Sequence, residues 1–179
     1  MNRKLTIGFL HSVIRKDEKF LLTELEKRKN LEIVMIDDRK LFFDISAYNL
    51  PEVDIIFERS INHYRALHAL KLFEDAGIPC VNQSSVAGIC GSKFMTSLKL
   101  KEQAIPQPQV CIAFTEDSAL EAIEMMGYPV VLKPAVGSWG RLLAKIDTRS
   151  AAEAILEHKT ILGSYHHSIF YIQEYIEKN

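Results

Sequence analysis

Two lysines, one glycine-bearing loop and one glutamine–glutamate strand end are the residues of this chain whose types and spacing could do chemistry. The apolar run Val130-Val131-Leu132-Lys133-Pro134 reads as a strand carrying a lysine. It is followed by Ala135-Val136-Gly137-Ser138-Trp139-Gly140-Arg141, and then Leu142-Leu143-Ala144-Lys145-Ile146 returns as a second apolar strand. The loop is therefore a flap between paired strands. Gly137 and Gly140 let the backbone approach an anion closely, successive backbone N–H groups can form a nest for phosphate oxygens, and Lys133 and Arg141 add full positive charge. An unpaired ammonium inside an apolar strand is costly, so Lys133 needs an anionic partner or an exit to solvent. The plainer alternative is an ordinary hairpin with a basic loop. Trp139, the only tryptophan, lies in the flap, where it either shields phosphates from water or packs on a neighbour.

Two further segments bear on the same chemistry. In Gly91-Ser92-Lys93-Phe94-Met95 a lysine opens a helical stretch. A helix start welcomes anions rather than cations, a conflict that a phosphate shared with Lys93 would resolve; a solvated lysine is the alternative. The sequence Gly88-Ile89-Cys90-Gly91-Ser92-Lys93 is not a Walker loop, because Ser92 separates glycine from lysine. Downstream, Ile169-Phe170-Tyr171-Ile172-Gln173-Glu174-Tyr175-Ile176 reads as one strand. Gln173 and Glu174 alternate faces, so one can meet the amino group of a base while the other faces away or pairs elsewhere. Tyr175 and Ile176 offer backbone groups and apolar contact.

In this order and at these separations, the three segments resemble the nucleotide site of the ATP-grasp superfamily. The resemblance implies that Lys93 and Lys133 contact ATP, that Gly137, Ser138, Trp139, Gly140, Arg141, Leu142 and Leu143 cover its phosphates, and that Gln173, Glu174, Tyr175 and Ile176 meet adenine. Arg141 is the catalytic candidate. The segments Phe57–Ile61, Val81–Lys93 and Lys133–Arg141 are similar, more narrowly, to the RimK-like carboxylate–amine ligases, and among these to the branch that joins alpha-aminoadipate to the carrier protein LysW in lysine biosynthesis. That likeness covers nearly all of the chain. It implies that a carboxylate attacks the γ-phosphate of ATP to give an acylphosphate, and that an amine displaces phosphate to form an amide. The carboxylate would be that of the carrier's C-terminal glutamate. Magnesium would complete the charge balance, held by carboxylates that the resemblance places beyond Asn179, so that this chain lacks the C-terminal third and is incomplete for catalysis. A related glutamate-adding ligase of the same fold, and a non-catalytic nucleotide-binding module, are the alternatives.

The elements that must position these residues alternate strand and helix at the start of the chain. Strands are predicted at 5–10, 31–36, 53–57 and 78–81, with helices over 17–29 and 62–76, the latter stopped by Gly77. Glu58-Arg59-Ser60 follow the third strand at the edge where open α/β sheets bind ligands. There Arg59 could grip a substrate carboxylate with help from Ser60, Asn82, Ser84 and Ser85, or could form a structural pair with Glu58. After Ile105-Pro106-Gln107-Pro108 come a strand near 109–113, a helix capped by Thr115 and ended by Gly127, the hairpin, a helix opened by a capping box at Ser150–Glu153, and the final strand. The fold class expected is an α/β Rossmann-like pre-ATP-grasp domain over residues 1–88, followed by an α+β ATP-grasp central subdomain over 89–179.

Composition bounds the function without choosing the reaction. The chain has 179 residues, 47% of them hydrophobic, which is enough for a core, and a formal net charge of −1, which gives no global field for nucleic acid. No GxGxxG follows the first strand, which argues against a dinucleotide cofactor. Cys80, Cys90 and Cys111 lack CxxC spacing and fit reduced thiols in a cytoplasmic protein. No apolar run reaches the roughly 20 residues of a membrane helix. His63 and His68 fall on different helix faces, adjacent His166 and His167 cannot easily converge on one metal, and no nucleophile–base pair stands out. The partners expected are a small acidic amino-group carrier protein of the LysW kind, an amino acid and further copies of this chain, with no nucleic acid and no membrane.

Overall fold

The computed structural model describes residues 3–137, 140–162 and 169–177. The chain divides into two compact units, residues 1–88 and 89–179.

In the first unit, β1 (Leu5–His11), β2 (Leu31–Asp37), β3 (Ile55–Arg59) and β4 (Cys80–Val81) form a parallel sheet in the order β2-β1-β3-β4. Parallel neighbours need crossovers, and these include helices α1 (Lys16–Glu26) and α2 (His63–Asp75). Leu10, Ile36 and Ile56 on one sheet face are buried with Ala69, Leu70 and Phe73 of α2, the apolar stripe that helical spacing places on one side. Asn62 caps α2 by accepting a hydrogen bond from the Arg65 backbone N–H at 3.0 Å. Helix α1 ends at Glu26, short of the predicted 29. The third strand runs two residues later than the sequence pattern suggests, so Glu58 and Arg59 belong to the strand itself. The apolar count places the strand at Val53; pairing with β1 from Ile7 onward sets its true start at Ile55.

Helix α3 (Ser84–Gly91) leads to α4 (Lys93–Glu102). The second unit then builds an antiparallel sheet, in the order β5-β8-β6-β7, from β5 (Val110–Ala113), β6 (Val130–Pro134), β7 (Ala144–Ile146) and β8 (Phe170–Glu174). Helices α5 (Glu116–Met126) and α6 (Arg149–Leu162) cover one face. Ala113, Val130, Leu132, Ile146, Phe170 and Ile172 point into that core with Ala119, Ile123, Ala152 and Leu156. Thr115 caps α5 in a reciprocal box with Ser118, and Gly127 ends it at φ +79°. Helix α6 starts one residue before the predicted Ser150: the Thr148 hydroxyl accepts from the Ala151 N–H at 3.3 Å, so Thr148 takes the capping place and Glu153 pairs instead with Arg149 at 2.9 Å. The second hairpin strand begins at Ala144 rather than Leu142, because Leu142 has φ +59° and turns the chain. The last strand stops at Glu174, leaving Tyr175 and Ile176 beyond it.

Candidate functional site

Side chains alternate across a strand, so the core-facing residues of the second sheet dictate which ones face away from α5 and α6. These are Val131 and Lys133 of β6, Tyr171 and Gln173 of β8, and Lys145 of β7, with Val131 in register with both Gln173 and Lys145, and Lys133 with Tyr171. Lys133 and Gln173 are thus diagonal neighbours on one face, and the Lys133 ammonium donates to Gln173 Oε1 at 2.7 Å. Burial holds the Lys133 pKa below the ordinary lysine range.

The second lysine arrives from helix α4. Ser92 caps that helix through the Met95 N–H and bridges to Val136, while the Lys93 N–H donates to the Ala135 carbonyl at 2.9 Å. The helix start is thereby tied to the strand end where the glycine loop begins. The Lys93 ammonium donates to the Gly137 carbonyl at 2.8 Å. Its pKa is lowered by burial and, after that, by the positive charge of Lys133. Further along α4, Ser97 Oγ and the Tyr171 hydroxyl share a hydrogen bond of 2.8 Å. The helix therefore lines the sheet face that α5 and α6 leave uncovered.

The loop itself needs glycine. Gly137 has φ +139° and Gly140 φ +64°, values that a side chain disfavours. Arg141, Leu142 and Leu143 are exposed beside it. Ser138 and Trp139, named as phosphate-covering residues, lie outside the described residues, as do His166 and His167.

At the strand end the choice that alternation left open is resolved. Gln173 faces Lys133, whereas Glu174 turns to the sheet edge, where its carboxylate accepts from the Gln109 N–H at 2.8 Å. Tyr175 lies under the ammonium of Lys145, 4.6 Å from its ring centroid, and Lys145 is also paired with Asp147 at 2.7 Å. Neither Lys145 nor Ser97 stands out in the sequence. The alternating pattern of β7 beside a lysine-bearing β6 is the one signal that could find Lys145.

Two of the five expected substrate residues of the first unit, Arg59 and Ser84, are committed internally. Arg59 does not pair with Glu58. Its guanidinium donates to Glu18 Oε1 at 2.9 Å, and Arg15 grips the same fully buried carboxylate at 2.8 Å. These contacts, Arg15 first, hold the Glu18 carboxyl at a pKa of about 2 despite burial. Glu58 instead accepts from the Ser60 backbone N–H, and burial raises its pKa. Ser84 is engaged through both its N–H and its hydroxyl by the Glu74 carboxylate. Asn82 and Ser85 are exposed. Arg59 Nε and Ser60 Oγ are buried without a hydrogen-bond partner among the described residues.

Magnesium fits these residues poorly. Among the described residues no group of three or more His, Cys, Asp or Glu side chains could hold a metal ion, and Glu174 is already bonded to the backbone. No described helix is long and apolar enough to cross a membrane.

Comparison with known proteins gives the family. Residues 7–89 match the LysX preATP-grasp domain and residues 91–179 the RimK-like ATP-grasp domain. A glutamate–LysW ligase, ArgX, of Sulfolobus acidocaldarius is 33% identical over 95% of this chain and 60% of its own length. An alpha-aminoadipate–LysW ligase, LysX, of Saccharolobus solfataricus is 32% identical over 92% of this chain and 60% of its own length. The chain thus spans about 60% of the length of these relatives. Among solved structures, a RimK domain ATP-grasp protein of Sphaerobacter thermophilus aligns at a TM-score of 0.83 with 25% identity, covering 97% of this chain and 65% of that one. A D-alanine–D-alanine ligase of Bacillus anthracis complexed with ATP shares the fold at a TM-score of 0.67 with 20% identity, over 97% and 59% of the two chains. With a LysX preATP-grasp domain followed directly by a RimK-like ATP-grasp domain, the chain belongs to the RimK-like ATP-grasp family.

Proposed function

We propose that the second unit binds ATP on the sheet face bearing Lys133 and Gln173, under the loop of residues 137–143. The observation that carries this reading is the state of the two lysines. Both have depressed pKa values, they repel one another, and each is held by a neutral oxygen rather than a carboxylate. Such a pair is a waiting receptor for a polyanion, since phosphate oxygens would restore the charge balance that the chain withholds. Lys93, Lys133 and the loop amides would neutralise the triphosphate, and Arg141 would carry charge to the transferring phosphoryl group. Gln173, Tyr175 and Ile176 would meet the base. Magnesium belongs to the family chemistry, and no step is assigned to it through the described residues.

At the level of the reaction, the chain is read as part of an ATP-dependent ligase that activates a carboxylate as its acylphosphate and passes it to an amine. The relatives' names support a LysW-type carrier as the carboxylate and glutamate or alpha-aminoadipate as the amine donor. These two amino acids share an α-amino group and a side-chain carboxylate, and differ by one methylene. For the carboxylate, the first unit offers Ser60, Asn82 and Ser85 near the carboxyl ends of parallel strands, Arg59 being held by Glu18. Residues 1–88 would be the substrate-side domain and 89–179 the nucleotide-binding subdomain of a cytoplasmic enzyme.

Isothermal titration of the protein with a non-hydrolysable ATP analogue tests the reading. Saturable binding that inorganic triphosphate competes away is expected. Absence of binding by the folded wild-type protein would overturn it.

A further inference from the structure

We infer that Lys133 is a positioning residue for base selection: by holding Gln173 Oε1, it fixes the orientation of the Gln173 amide and so makes the site select adenine over guanine. The inference rests on the nucleotide reading of this site and deepens it.

An ammonium has three donors and no acceptor, so it can meet only the oxygen end of an amide. The 2.7 Å contact from Lys133 therefore determines which way the Gln173 amide points. The nitrogen end is turned toward its own backbone, with Nε2 at 3.4 Å from the Glu174 carbonyl. Lys133 sits on the inner strand β6, where its backbone is in register with Tyr171 of β8 just beyond the last β7 pair, Leu132 with Ala144. The amide oxygen has two lone pairs, of which the lysine uses one. The second can accept an N–H from the exocyclic amine of adenine. Guanine presents a carbonyl oxygen at the same position and would set oxygen against oxygen. Without a cation beside it, the amide could turn and offer its NH₂ group instead, because the two ends are nearly identical in shape.

Adenine preference would therefore depend on the lysine as well as on the glutamine. A role confined to phosphate charge predicts that losing Lys133 weakens every nucleoside triphosphate alike. The orientational role predicts a change in the ratio between bases, because a buried hydrogen bond that cannot be made separates two ligands more than one that is weakened.

The test measures dissociation constants for non-hydrolysable ATP and GTP analogues with the wild type, Lys133→Met, Lys133→Arg and Lys133→Met/Gln173→Glu. The wild type should prefer the adenine analogue. Lys133→Met should bind both more weakly and lose roughly tenfold of the preference, as expected for one matched hydrogen bond. Lys133→Arg, whose guanidinium also only donates, should keep the ratio. Gln173→Glu presents oxygen in either orientation, so the double variant should recover adenine preference while remaining weak overall. An unchanged ratio in Lys133→Met, or no recovery in the double variant, would overturn the inference while leaving nucleotide binding intact. Failure of the wild type to bind either analogue would overturn the nucleotide reading itself, and this inference with it.

Discussion

The Glu18 cluster of the first unit and the two-lysine cluster of the second handle charge in opposite ways. In the first, three arginines meet buried carboxylates of the same unit: Arg15 and Arg59 on Glu18, Arg65 on Asp38 at 2.9 Å. In the second, Lys93 and Lys133 are given a backbone carbonyl and a side-chain amide. Buried charges are normally paired because desolvation is costly, so the first arrangement is what stability requires and the second is what stability alone would avoid. The difference teaches where to look for a ligand. A site that leaves its cations on neutral oxygens retains net charge for an outside anion, whereas a neutralised cluster is first a structural device.

The largest test of this contrast falls on the structural side. Glu18→Ala leaves two guanidiniums facing each other without their carboxylate, and breaking a buried pair in this way costs about 3–5 kcal/mol. Urea unfolding should show a loss of that order, while nucleotide affinity of the folded protein stays unchanged. The pH dependence follows from the same group. The folded carboxyl lies near 2, below its ordinary value of 4.5, so its stabilisation is complete above about 4.5 and disappears as pH falls toward 2. Glu18→Gln should flatten this part of the acid-denaturation curve; an unaltered curve would mean that the cluster contributes little.

Next in size is the functional side. Lys93→Ala and Lys133→Ala each remove a charge-assisted contact worth about 1.5–3 kcal/mol. Titration calorimetry should show roughly ten- to a hundredfold weaker binding of an ATP analogue. Thermal stability should barely fall, or rise, because each substitution also relieves an ammonium desolvated without a counter-charge. A large loss of stability with unchanged affinity would place these lysines in the same class as Arg59.

The smallest effect concerns Lys145, whose ammonium lies over the Tyr175 ring. This contact is exposed and is worth about 0.5–1 kcal/mol. Lys145→Met should weaken nucleotide binding only a few-fold, through a looser chain after β8. A loss as large as that of Lys133→Ala would mean that Lys145 touches the phosphates directly.

Much of the proposed nucleotide site is legible in the sequence because its parts are local. A lysine within an apolar run, two glycines in the following loop and a Gln-Glu strand end each announce themselves within a few residues. What sequence periodicity does not carry is pairing across distance. The Lys93–Gly137 and Lys133–Gln173 bonds join residues 44 and 40 positions apart, and Arg59 finds Glu18 across 41. Reading only neighbours, one matches Arg59 with Glu58, although alternation sends adjacent strand residues to opposite faces. Helix α3 escapes detection because Ser84-Ser85-Val86-Ala87-Gly88-Ile89-Cys90-Gly91 has no clear amphipathic stripe. At strand ends the pattern fails because apolar content outlasts the hydrogen bonding, as at Tyr175 and Ile176.

The central claim, that Lys93 and Lys133 are held in reserve for an outside anion, can be measured at the ammonium groups themselves. NMR of the protein labelled at its lysine side chains would follow the titration of each amine with and without an ATP analogue. Without nucleotide, both should deprotonate below the ordinary lysine range, as burial and mutual repulsion dictate. With nucleotide, both should shift upward, because phosphate favours the charged form, and binding near the free-state pKa should take up protons. Titrations that do not move on addition of nucleotide, while Lys145 or other lysines do, would contradict the account.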